Sequence, residues 1–80
     1  KKDLKGAKAL AAEAEKMVPN EARFALLRGD LELADKEPKA ALAHYERALQ
    51  LDDDYFAAWL GSGTAHYRLG NRSEAAQRLG

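Results

Sequence analysis

An all-α fold of short helices packed in antiparallel pairs is what this sequence predicts, and three observations predict it. Alanine and leucine crowd every segment, whereas the β-branched residues are confined to Val18 and Thr64, so strand-favouring side chains are almost absent. The two prolines, Pro19 and Pro38, together with glycine and acidic breaks, cut the chain into five pieces, 3–18, 21–35, 38–51, 55–69 and 72–80, each of which reads as a helix. The joints between them are only two to three residues long, which forces consecutive helices to reverse direction and touch.

Each segment carries its own start signal. Asp3 can cap the first helix and Asn20 the second, each offering a side-chain oxygen to the unpaired amides of a first turn. The third begins with Glu37 followed by Pro38 at the first helical position, where a missing N–H costs nothing. One of Asp52, Asp53 and Asp54 is expected to cap the fourth, and Asn71 with Glu74 three residues on makes a capping-box-like start for the fifth. Gly70 after Leu69 reads as a left-handed helix stop.

Composition narrows the function classes. Eighty residues, 46% hydrophobic and 32% charged, support one small core and a single domain, and no run approaches the roughly 18 apolar residues of a membrane span. Thirteen basic and thirteen acidic side chains cancel, but unevenly: residues 21–54 carry five bases against nine acids, while both ends are basic. An acidic centre repels phosphate, so no nucleic-acid partner is expected. With no cysteine, disulfides and thiolate chemistry are excluded.

His44 and His66 have no histidine or cysteine partner at metal-ligand spacing, and nothing selects Glu13, Glu32 or Glu46 to join them, so no metal site is read. The run Asp52–Asp54 lacks the glycine and closing glutamate of a calcium loop, Ala57 and Gly63 standing there instead, and suits a helix N-terminus. Gly61-Ser62-Gly63 lies mid-helix without the strand–turn–helix setting of a nucleophile or phosphate loop, and its glycines point to close helix approach. The aromatics Tyr45, Tyr55, Phe56, Trp59 and Tyr67 are read as packing residues first. Neither catalysis nor a cofactor is expected.

A shift of 34 residues aligns the chain with itself. It brings Ala7, Ala41 and Ala75 into register, Ala14 with Ala48, Met17 with Leu51, Leu26 with Leu60, Gly29 with Gly63 and Leu33 with Tyr67. A period of 34 carried by two alternating helices resembles the tetratricopeptide repeat (TPR) family. Ala41, Tyr45 and Ala48 match the family's small, aromatic and small positions on its second helix, and Trp59, Gly63 and Ala75 match its aromatic, glycine and alanine positions. On the first helix of each pair, strict register sets Arg28 and Glu32, then Ser62 and His66, where the family has large apolar and aromatic residues. A one-residue offset in the first copy recovers an apolar stripe of Phe24, Leu27 and Leu31, and that offset is the expectation.

The resemblance implies a right-handed α-solenoid of about two and a half repeats: a lone second helix at 3–18, a repeat at 21–51, and a repeat at 55–80 whose last helix is truncated, as in a fragment of a longer protein. It further implies a non-catalytic scaffold that binds a peptide or partner domain in a groove built by the first helices. Carried onto this chain, the groove comprises Arg23, Leu26, Leu27 and Asp30 with Leu60, Thr64, Tyr67 and Arg68. The family's chaperone-binding branch uses Lys and Asn there, and none of these eight is either, so a chaperone tail is not the expected partner. The stretch from Pro19 to Leu49 also resembles the TPR tails that follow HExxH zinc peptidase domains in bacterial envelope proteins, which implies an alternative role as the recruiting region of an enzyme; no HExxH occurs in the chain itself. Finally, Leu4, Ala7, Leu10, Ala11, Ala14 and Met17 form an apolar side on the first helix with no helix before it, while Ala75, Ala76 and Leu79 sit on a short last one, so fraying after Gly70 or self-association through these ends is expected.

Overall fold

In a computed structural model that describes residues 3–70, the chain forms four helices: α1 (Leu4–Met17), α2 (Ala22–Ala34), α3 (Pro38–Leu51) and α4 (Phe56–Arg68). The bounds of α3 are those of α1 displaced by 34 residues at both ends, and the same displacement carries α2 onto α4. The repeat is therefore one of backbone as well as of sequence. The expected helix over 72–80 and its Asn71 cap lie outside the described residues.

Local chemistry accounts for most boundaries. Asp3 caps α1 through its Oδ1, which accepts the Gly6 N–H at 3.0 Å. The second cap falls one residue later than expected: Glu21, not Asn20, holds that position, its carboxylate accepting the Arg23 N–H at 3.4 Å and pairing with the Arg23 guanidinium at 2.9 Å. Glu37 and Pro38 open α3 as expected, with no side-chain cap. At α4 the cap position belongs to Tyr55, and none of the three aspartates serves; Asp52 instead accepts the Asp54 N–H and shapes the turn before the helix. Two helices end alike. Lys36 and Gly70, 34 residues apart, both have a left-handed backbone (φ 61° and 87°), and their N–H groups donate to Leu33 and Tyr67 carbonyls at 3.0 Å.

The core is built from small residues around one large one. Ala22, Ala25, Ala48, Leu49 and Ala58 form one cluster, roofed by Leu26, Leu51, Tyr55 and Trp59. Ala41, Tyr45 and Ala65 form a second, against which Leu26, Leu33 and Leu42 pack. Alanine here lets helix axes approach closely, so that a small chain still achieves dense contact. Tyr45 is wholly buried, between Gly29 of α2 and Gly61 of α4: a Cβ on either glycine would lie within 2.6 Å of its ring. Gly61 thus makes room for an incoming tyrosine ring.

These contacts overturn the offset register. The buried residues of α2 are Ala22, Ala25 and Gly29, the strict-register set, while Leu27 is 42% exposed and Phe24 and Leu31 are only partly covered. Arg28 and Glu32 hold the family's apolar positions because α1 answers them with charge. Arg28 pairs with Glu15 at 2.7 Å, and Lys8 bridges Glu32 at 3.1 Å and Asp35 at 2.9 Å. One repeat later Glu15 and Lys8 become Leu49 and Leu42, and Arg28 and Glu32 become Ser62 and His66, both buried. The same helix–helix contact is built once with ion pairs and once with a largely apolar filling.

Candidate functional site

Two faces could receive a partner, and helix packing distinguishes them. α2 lies against α1, α3 and α4, and α3 lies against α4, whereas the backbones of α1 and α3 do not approach closely. Close on the α2/α4 side and apart on the α1/α3 side, the array bends with α2 and α4 inside. A repeated helix pair curves for this reason: its two layers have unequal spacing.

Of the residues expected to form the groove, Arg23, Leu27 and Asp30 on α2 and Leu60, Tyr67 and Arg68 on α4 are exposed, and Thr64 is partly buried. Leu60 is 40% and Tyr67 57% exposed. Leu26, the eighth residue of the expected groove, is partly buried and packs against both core clusters, so its side chain contributes mainly to the interior. Thr64 donates its hydroxyl to the Leu60 carbonyl at 3.0 Å. Arg23 is turned toward Glu21 at the entrance of α2. Arg68 forms no ion pair among the described residues.

Between the two helices lies a polar centre that sequence reasoning did not assign. The ring of Tyr45 passes between Gly29 and Gly61, and its hydroxyl donates to Asp30 Oδ1 at 2.6 Å. Burial first, and the hydrogen bond to Asp30 second, push the phenol well above its ordinary pKa, with the nearby charge of Arg68 acting in the opposite sense. Asp30 is thereby held in one orientation on the surface. A hint existed in the sequence, since Gly29 and Gly61 break otherwise favourable helices, but only the packing shows which residue needs both gaps.

Across the outer face, where α1 and α3 diverge, runs an open cleft of about 560 Å³ whose lining includes Glu15, Lys16, Arg28, His44 and Arg47. Arg47 reaches across it to the Pro19 carbonyl at 3.3 Å. His44 is half-buried there, and its pKa is lowered, by desolvation first and by the Arg28 charge second. The cleft's cations are largely engaged with acids and carbonyls of the chain itself. No group of three metal-binding side chains occurs among the described residues, and none of their helices is long and apolar enough to cross a membrane.

A repeated helix pair, bent so that its first helices form the inner face and lacking any assembled catalytic group among the described residues, defines a helical-repeat interaction module. The family model described as tetratricopeptide repeat matches residues 32–80. The chain belongs to the TPR family, whose repeats are protein–protein interaction modules. Comparison with curated proteins returns no match.

Proposed function

We propose that this chain is a non-catalytic scaffold that holds a peptide or partner domain along the inner face of α2 and α4. The observation that carries the reading is the mixture exposed there: Leu27, Leu60 and Tyr67 interleaved with Arg23, Asp30 and Arg68. Apolar anchors provide binding free energy while fixed charges set register and exclude wrong partners. Asp30, oriented by Tyr45, offers an acceptor and Arg68 a donor on the opposite helix, which suits an extended peptide with polar groups on both edges.

Peptides selected from a displayed random library against the 80-residue chain test this. Binding should be lost in Leu27→Glu and at least about tenfold weaker in Arg68→Ala, while Lys16→Glu on the outer face leaves it unchanged. Arg68→Ala should also keep stability within about 0.5 kcal/mol, since the side chain is exposed and forms no ion pair among the described residues. Selected peptides that bind all inner-face variants normally and fail only on Lys16→Glu would move the site to the outer cleft. The role as a recruiting region of a bacterial zinc peptidase belongs to the same proposal at the level of the parent gene: an HExxH motif encoded upstream supports it, and further repeats there remove it.

A further inference from the structure

We propose that Asp30, held from beneath by Tyr45, anchors a single lysine or arginine side chain of the bound partner. This rests on the inner-face reading above and names the side chain which that face selects.

The ion pairs of the chain leave Asp30 out. Of the acids in α2 and at its two ends, Glu21 pairs with Arg23, and Glu32 and Asp35 both pair with Lys8. Asp30 is exposed and forms no ion pair among the described residues. It lies on α2, the helix that α1, α3 and α4 all contact, and not on a helix at either end of the described array.

Its hydrogen bond comes from inside the molecule. The Tyr45 hydroxyl donates to Asp30 Oδ1 at 2.6 Å, the short distance of a bond to an ionised carboxylate. That hydroxyl is carried by a wholly buried ring against which both Gly29 and Gly61 lie close, which limits its movement. Burial also keeps the phenol protonated through the neutral range, so Tyr45 stays the donor and Asp30 the acceptor. The carboxylate is thus fixed through one oxygen, and the other is left for a ligand. A side chain oriented in advance loses less freedom on binding than a mobile one.

Charge sets the class of that ligand. A carboxylate is best answered by a cation, and residues 21–54, with nine acids against five bases, draw basic groups toward this part of the chain. Arg68 limits their number. Its charge reaches the Tyr45 phenol, yet it forms no ion pair with Asp30, so a second cation beside the first would be repelled. One basic side chain suits the site, and a basic run does not.

Peptides selected from a displayed random library on the 80-residue chain supply the probe, sorted by Leu27→Glu into those that use the inner face and those that do not. Inner-face peptides should each contain a Lys or Arg whose replacement by Gln weakens binding at least about tenfold, and Asp30→Asn should cost as much. Combined, the two changes should cost no more than either alone, to within about threefold. Tyr45→Phe, which keeps the ring, should weaken the parent complex at least about threefold at unchanged helicity, and should have no further effect in an Asp30→Asn background. Inner-face peptides that need no basic residue, or losses from peptide and Asp30 that simply multiply, would overturn the anchor and leave the inner-face reading intact. A Tyr45→Phe loss equally large in the Asp30→Asn background would overturn the role given to Tyr45. Peptides all indifferent to Leu27→Glu would instead remove the inner-face reading itself, and the anchor with it.

Discussion

Tyr45 ties three helices together at one residue. Its ring is wholly buried between two glycines, and its hydroxyl is anchored on Asp30. A methyl group on Gly61 would stand 2.5 Å from Cε1 and Cζ, and the ring has little room to give way, because Gly29 of α2 also lies close against the same ring atoms. Gly61→Ala should therefore destabilise by about 1–3 kcal/mol through overpacking, even though alanine is worth up to about 1 kcal/mol as the better helix former. In a Tyr45→Leu background the same change should become neutral or stabilising, because the ring that opposed the methyl group is gone. Chemical denaturation of the four variants measures this coupling, and additive effects would show that the ring and the glycine do not contend for the same space. Tyr45→Ala should be more damaging than any of these, at about 3–5 kcal/mol, close to the whole stability of so small a domain. Trp59 is a lesser case than its repeat position suggests: it roofs the first cluster, only partly buried, with its indole N–H donated to the Asp53 carbonyl at 2.9 Å. Phe56 and Tyr67, read as packing aromatics on periodicity alone, stand 70% and 57% exposed.

At the scale of the element, the turns that close α2 and α4 share a left-handed residue and one hydrogen bond, with different residues at the left-handed position. The Glu37 N–H returns to the Glu32 carbonyl at 2.9 Å and the Lys36 N–H to Leu33 at 3.0 Å, a double closure that requires positive φ at Lys36. A side chain in that conformation costs about 1 kcal/mol, and the equivalent position one repeat later is Gly70. Lys36→Gly should stabilise the chain by about 0.5–1 kcal/mol, a rise in Tm of several degrees readable by circular dichroism; a fall would mean that Lys36 makes a favourable interaction outweighing its backbone conformation. The helix caps carry a related lesson. Asp3 acts as its type predicts, but α4 starts at Tyr55 without a side-chain cap, since the preceding aspartates fold into their own turn. Capping preference names several candidates within a polar run, and the path of the chain into the core selects among them.

For the molecule as a whole, α1 is the element with least support. Among the described helices its backbone approaches α2 alone, Ala11 is its one buried residue, and Leu10 and Met17 are 73% and 79% exposed. Its contacts with α2 lean on partly exposed ion pairs, which contribute little each. Amides of residues 7–14 should thus exchange at least about tenfold faster than those of residues 41–48 in α3, and equal protection would show that the array unfolds as one unit. The sequence by itself determined the all-α class, the four described helices to within a residue or two, and the period of 34, because these depend on local propensity, on breaks and on a repeat that can be seen by alignment with itself. Tertiary structure decided the face each helix buries. Arg28 and Glu32 look wrong for a covered position until Glu15 and Lys8 are placed opposite them, and Gly61 looks like a weakness until Tyr45 fills the space it leaves. Burial and charge pairing are properties of two surfaces brought together, and a single helix read alone contains only one of them.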